Sequence, residues 1–307
     1  MKNNRATAFL ILTTVSFLWG IASPVIKYTL NFITPYSFLF WRFLITSIIF
    51  LPFFIFFVRK HPLHLNELPM LAFLGFLGTP LTLILLFLGY QTTTSIDGVL
   101  ISATAPIFIT VGGVIFLKEK VTGRERIGLA IAILGSLVAV IQPLLETGLL
   151  KGAFEGNLLV FGSVISWTVF TLLSKDQFKK YHPFVITAFS FFIGLIVIVP
   201  LFFAKQLNNG LSLVGSLNYS AFPGILYMSV FSSFIAYTLF EYGLSLIEAS
   251  EATLFAYLQP IFAAPVALFW LKEKITLPFL LGAVLISLGV IVAETRKETD
   301  FKNKLSP

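Results

Sequence analysis

The sequence predicts an all-α integral membrane protein: ten transmembrane helices arranged as two inverted five-helix repeats. Three observations carry the prediction. The chain of 307 residues is 57% hydrophobic and 11% charged, with a mean hydropathy of +0.93; a soluble domain keeps about a quarter of its residues charged, so this composition cannot cover a surface in water. Apolar runs of about 20 residues, each long enough to cross a hydrocarbon core of roughly 30 Å, recur from end to end. And the chain repeats itself: "TAPIFITVGGVIFLKEK" at 104–120 returns as "LQPIFAAPVALFWLKEK" at 258–274, 154 residues later.

The ten apolar spans lie at 6–29, 34–58, 68–90, 95–117, 123–143, 153–175, 183–204, 221–246, 249–271 and 276–294. Short connections leave no room for a soluble domain. Span one follows a short basic start (Lys2, Arg5) but is too long for a signal-peptide core, lacks a cleavage site and is followed at once by span two, so it reads as a retained helix.

With no cysteine, disulfides, thiolate catalysis and thiolate-held metals are excluded. The net charge of +7 invites a polyanionic partner, but the location of the charges speaks for topology. With the N-terminus in the cytoplasm, fifteen Lys and Arg lie inside, from Lys2 and Arg5 to Lys302 and Lys304. Five lie outside: Lys27, Lys151, Lys205, Lys272 and Lys274. That is a positive-inside distribution with both termini cytoplasmic, and nucleic acid is not a partner.

The repeat extends beyond the quoted lines. At a spacing of 154, Gly89 matches Gly243, Asp97 pairs with Glu251, Gly128 matches Gly282 and Gly135 matches Gly289; upstream the spacing is 148, where Trp19 matches Trp167, Lys27 matches Lys175 and Pro35 matches Pro183. Two units follow, 1–148 and 149–307, the second ending in a short cytoplasmic tail. Five crossings is an odd number, so the second unit enters the membrane from the opposite face and the halves are related by a pseudo-two-fold axis in the membrane plane. Halves of this kind can exchange conformations, which yields alternating access around a site near the midplane.

The paired units, "FLWGIASPVIKY" in span one, "WRFLIT" in span two and the P-I-F…L-K-E-K ends of spans four and nine are similar to the drug/metabolite transporter superfamily, and within it the chain resembles the ten-helix EamA-type exporters. The resemblance covers about residues 6–294. It implies a secondary transporter of the inner membrane that exports small metabolites, amino acids and related compounds above all, through a cavity lined by both halves. The chain departs from its own symmetry at Arg42, whose counterpart is Ser190.

Candidate residues follow from membrane physics. Pro106 and Pro260 fall mid-span at equivalent places, and a mid-helix proline removes a backbone hydrogen bond and kinks the helix, as a hinge, a cavity wall or a packing kink. Trp19-Gly20 and Ser23-Pro24 are expected to interrupt span one in the same way. Trp19 lies about 20 Å along its helix by the helical rise, and Trp167 has nearly the same depth, so the pair is either an aromatic surface for an apolar or cationic part of a cargo or interhelical packing. Arg42, roughly 12 Å below the outer end of span two by the same rise, must face the interior with a partner or a cargo anion, such as the carboxylate of an exported amino acid.

Glu241 is the most deeply embedded acid of span eight, on the order of 13 Å from Arg42 in depth; it is a candidate proton-coupling residue or a side chain reaching the interface. Tyr90, Gln91, Tyr237, Tyr242, Tyr257 and Gln259 add neutral donors and acceptors near the breaks, as a neutral or zwitterionic cargo requires. The paired glycines of spans five and ten serve helix packing, and the Lys-Glu-Lys ends anchor helices at the interface.

The absences narrow the class. There is no phosphate-binding G-x-x-x-x-G-K-[ST] loop and no H-E-x-x-H, and the three histidines (His61, His64, His182) lie in loops or at span ends, so no catalytic residue, metal site or cofactor is expected. A carrier of nucleotide sugars or phosphorylated sugars calls for several deep cations where the spans offer Arg42 alone. A channel is disfavoured by the in-plane pseudo-axis. A lipid flippase is the remaining alternative. The expected partners are a small-molecule cargo and the bilayer, and two units in one chain remove the need for a dimer.

Overall fold

The computed structural model describes residues 2–60, 63–119, 123–124, 126–131, 133–135, 151–209, 218–272 and 277–294. The end of span five, the junction of the two units, Lys120, Glu273, Lys274 and the C-terminal tail lie outside the described residues.

Every described element is a helix. Seven helices are long and apolar enough to cross a membrane, at Arg5–Thr29, Pro35–Arg59, Leu65–Thr92, Phe154–Gln177, Pro183–Lys205, Tyr219–Leu246 and Ala249–Trp270; shorter apolar helices lie at Ala105–Phe116, 126–135 and 280–289. The expected count of ten long spans is therefore not reached among the described residues. Span four falls short because its helix stops at Ser102 and restarts at Ala105, and span five is described only as far as Gly135.

The prolines act differently at different places. Pro106 and Pro260 do not kink a continuous helix: each occupies the first turn of a new helical segment, Ala105–Phe116 and Gln259–Trp270. The missing N–H is harmless there, because first-turn donors have no intrahelical acceptor. Ahead of Pro260 the chain passes through a 3₁₀ turn at Phe255–Leu258.

The interruption expected in span one is absent. One helix runs from Lys2 to Thr29 with Pro24 inside it. Gly20 in this helix lies against span nine so closely that a Cβ there would stand 2.7 Å from the Gln259 carbonyl oxygen and 2.8 Å from Phe262 Cβ.

Two wide π-helical turns interrupt spans three and eight, at Leu77–Leu81 and Tyr227–Ile235. In each a hydroxyl reaches back five residues, Thr82 Oγ1 donating to the Leu77 carbonyl at 2.7 Å and Ser233 Oγ to that of Met228 at 2.7 Å. Pro80, which has no N–H to give, sits inside the first of these turns.

The units are interlocked. Span one packs on spans eight and nine, and span six on spans three and four. Spans two and seven run antiparallel along a phenylalanine seam, with Phe40 stacked on Phe202 at 4.2 Å, Phe50 on Phe191 at 5.6 Å and Phe57 on Phe184 at 4.9 Å between ring centroids.

Repeat-equivalent residues make equivalent bonds. Lys27 Nζ donates to the carbonyls of Tyr90 (3.1 Å) and Thr93 (2.6 Å) at the end of span three. Its counterpart Lys175 donates to those of Leu244 (2.7 Å) and Ile247 (2.6 Å) at the end of span eight. Each lysine thus supplies donors to carbonyls that a helix end leaves unpaired.

Lys118 and Lys272 adopt the left-handed conformation, with φ of 57° and 55°, where the helices of spans four and nine end. Beyond Lys118, the Glu119 carboxylate accepts from the backbone N–H groups of Ala249 (2.7 Å) and Ser250 (3.1 Å), tying the end of span four to the start of span nine.

The closeness of spans one and nine makes a prediction. Gly20→Ala overpacks a backbone-lined contact and is expected to cost about 1–3 kcal/mol, read as a lower melting temperature in detergent. Gly162→Ala, whose Cβ would meet only Leu85 Cδ1 at 3.4 Å, is expected to leave it unchanged.

Candidate functional site

Between the two units lies a cavity of about 140 Å³. Its wall comes from spans one, two, three and four of the first unit and six, eight and nine of the second. Most of it is apolar, with a few polar side chains, which is the composition of a small-ligand site.

Arg42 supplies the cavity's cationic group. It is 1% exposed. Its Nε donates to Ser233 Oγ at 2.7 Å, and its guanidinium carbon lies 5.5 Å from the centre of the Phe87 ring. Ser233 can accept because its own proton goes to the Met228 carbonyl across the wide turn of span eight. Nη1 is buried with no hydrogen-bond partner. One edge of the guanidinium is therefore fixed by protein, while a terminal donor is left open. An arginine fork with free terminal donors suits a carboxylate.

The mirrored contact in the other half is neutral: Ser190, the counterpart of Arg42, accepts at its carbonyl from the hydroxyl of Thr79, the counterpart of Ser233. The scaffold repeats while the charge does not.

Trp19 and Trp167, matched in the repeat, meet edge to face with ring centroids 5.5 Å apart. Tyr237 lies 5.2 Å from the Trp19 ring and 5.5 Å from the Trp167 ring, and Phe240 lies 5.2 Å from both. These four rings form one aromatic floor. Trp19 Nε1 donates to the Ser232 carbonyl at 3.1 Å, so the same wide turn that aims Ser233 at Arg42 also orients the indole. Tyr227 OH adds a bond to the Leu18 carbonyl at 2.8 Å.

Of the residues expected from the sequence, Trp19, Arg42, Tyr90, Trp167, Tyr237, Gln259 and Pro106 line the cavity. The hydroxyl of Tyr90 is committed to Ser23 Oγ at 2.8 Å. Tyr257 does not line the cavity: it is fully buried beside Ala103 and Leu254, its hydroxyl unpartnered. Gly20, Pro24 and Pro260 lie outside the lining, and so does Glu241, which is 0% exposed one helical turn beyond Tyr237 with neither carboxyl oxygen hydrogen-bonded. Tyr242 faces outward, 43% exposed. No group of three or more His, Asp or Glu positioned to hold a metal occurs among the described residues.

Sequence reasoning missed Ser233 and Phe240. The first could have been found in the serine run "MSVFSSF" of span eight, one helix face of small donors opposite a buried arginine. The second lies between two residues already singled out only by neighbourhood, and an apolar ring carries no chemical signature.

The sequence signature of the EamA-like transporter family matches residues 6–141 and again 154–295. An uncharacterised transporter of Archaeoglobus fulgidus is 28% identical over 286 residues, 92% of this chain and 97% of that one. The uncharacterised transporter YdfC of Bacillus subtilis is 30% identical over 276 residues, covering 89% and 86%, and YyaM of the same organism is 26% identical over 289, covering 93% and 92%. A solved crystal structure at 16% identity superposes with a TM-score of 0.70 over 94% of this chain and 98% of that one, a likeness of fold.

The Arg42 geometry predicts that Ser233→Ala, which strands a buried Nε–H, lowers stability by about 1–3 kcal/mol. Ser233→Thr, which keeps the hydroxyl, is expected to retain most of it; thermal unfolding in detergent measures both.

Proposed function

This chain belongs to the EamA-like transporter family, and on that premise we propose that it is a secondary active transporter that exports an amino acid or similarly small carboxylate-bearing metabolite by alternating access. It is a multi-pass membrane protein; we place it in the inner membrane with both termini in the cytoplasm, on the positive-inside distribution of its charges. We take 1–148 and 149–307 as the two moving units, with the cargo bound between them.

The observation that carries this reading is Arg42. A buried guanidinium costs several kcal/mol in a membrane interior and needs a partner, yet one of its terminal nitrogens has none, and the side chain lines a cavity built by both units. A carboxylate completes it. The aromatic floor of Trp19, Trp167, Tyr237 and Phe240 then takes the apolar body of the cargo, and Gln259 provides a neutral polar contact near the break before Pro260. Pro106 and Pro260, each starting a helix at cavity depth, are the proposed hinges, with Gly20 and Pro24 on the helix they move against. Because one cation is present, the reading favours a single negative charge over a phosphate ester.

The test is efflux from proteoliposomes loaded with a mixed pool of amino acids and other metabolites. A carboxylate-bearing compound is expected to leave faster than from protein-free vesicles, with its rate reduced at least tenfold in Arg42→Ala and by less in Arg42→Lys, which keeps the charge but not the fork. Efflux that Arg42→Ala leaves intact contradicts the anchor. Movement of labelled lipid between leaflets in place of metabolite efflux replaces the exporter with a flippase.

A further inference from the structure

The two halves can be compared position by position, and one locus differs in a way the cargo site does not explain. In the first unit Ser23, Ile26, Ile84 and Phe87 lie together between spans one and three. Ile26 and Phe87 share one buried apolar cluster, Ile84 packs against it, and Ser23 is bonded to the Tyr90 hydroxyl. At the repeat spacings of 148 and 154 their counterparts are Thr171, Ser174, Thr238 and Glu241. A locus with three apolar side chains and one satisfied serine in the first unit is wholly polar in the other.

All four of these side chains carry buried oxygens with no hydrogen-bond partner. Thr171, Ser174 and Glu241 are each 0% exposed. Helical Ser and Thr ordinarily bond back to the carbonyl four residues earlier, and Thr14, Thr29, Thr168, Ser190 and Ser229 do so here. Thr171, Ser174 and Thr238 do not. Unsatisfied buried polar atoms are rare, and each calls for an explanation; here five oxygens of four side chains lie on two helices whose ends are joined by Lys175.

We propose that Glu241, Thr171, Ser174 and Thr238 form a binding site for a monovalent alkali cation of sodium size, on the far side of the aromatic floor from Arg42. A buried carboxylate must be paired, and small hard cations take oxygen ligands. One carboxylate and three hydroxyls offer oxygens to such an ion at a charge of minus one. A proton would neutralise the carboxylate and leave the hydroxyls nothing to coordinate. A divalent ion is disfavoured because Glu241 is the one acid among the four side chains; Lys175, its ammonium committed to the Leu244 and Ile247 carbonyls, lies nearby with Glu119, Glu248 and Glu251 also acting on it. Tyr237 is the other titratable group within electrostatic reach of Glu241.

The site is placed to influence transport. Glu241 follows Phe240, whose ring touches both tryptophans of the floor. An ion that tightens spans six and eight around Glu241 acts on the floor against which the cargo rests. As a coupling ion it rests on the transport reading; its binding does not, and can be tested without cargo.

Purified protein in detergent is melted in NaCl, KCl or choline chloride at equal ionic strength, with tryptophan fluorescence recorded in parallel. The expected result is a saturable rise in melting temperature and a fluorescence change specific to sodium, both lost in Glu241→Gln and in the near-isosteric Thr171→Val, and weakened in Ser174→Ala. Unchanged melting of Thr171→Val in choline shows that its fold is intact. Equal melting of the parent protein in the three salts overturns the site, whatever efflux assays give. A response to pH alone, removed by Glu241→Gln and untouched by Thr171→Val, also overturns it and leaves Glu241 as a proton site.

Discussion

Water does not reach the middle of a bilayer, so every backbone group that a proline, a wide turn or a helix end releases must find its partner within the protein. This constraint organises the molecule. Lys27 and Lys175 close the carbonyls at the ends of spans three and eight, Glu119 closes the first N–H groups of span nine, and serine and threonine hydroxyls bridge the wide turns. With those groups satisfied, the prolines can start helices at membrane depth without leaving orphaned donors. The few buried polar groups left unpaired then stand out as places meant for something else.

Among those exceptions are two loci, at Arg42 and at Glu241 with Thr171, Ser174 and Thr238, where the repeated halves differ in sequence. Equivalent bonds recur in the two halves, at Lys27 and Lys175 among others, yet a cavity lined by identical halves would have no means of distinguishing the ends of an asymmetric molecule. The chain breaks the symmetry where it matters: Arg42 against Ser190, and Glu241 against Phe87. A basic side chain therefore lies in one half and an acidic one in the other. Trp19 and Trp167, by contrast, are matched in the repeat and meet each other edge to face.

Much of the architecture could be read in the sequence because its causes are local or periodic. Spans come from hydropathy, the likeness of the halves from a fixed spacing, and the burial of Arg42 in the protein interior from the cost of a charge in hydrocarbon. What could not be read depends on contacts between helices. Span one continues through Pro24 and approaches span nine closely at Gly20, and no local pattern encodes either. Pro106 and Pro260 looked like kinks because a string shows them mid-span, whereas the turns before them restart the helix. Tyr257 and Tyr90 are equivalent candidates in the sequence and both are buried, but Tyr90 lines the cavity while Tyr257 packs beside Ala103 and Leu254. The partner of Arg42, Ser233, comes from 191 positions away.

We propose that one cavity between the two halves of the chain serves both faces of the membrane. Because the chain contains no cysteine, a single Ser102→Cys substitution in the cavity wall gives an unambiguous probe. A membrane-impermeant maleimide is applied from the outside of right-side-out vesicles and, separately, from the outside of inverted ones. Alternating access predicts labelling from both faces, with a transported carboxylate slowing both reactions. Labelling from one face only, unaffected by any cargo, would contradict it and leave a static cavity in a duplicated fold.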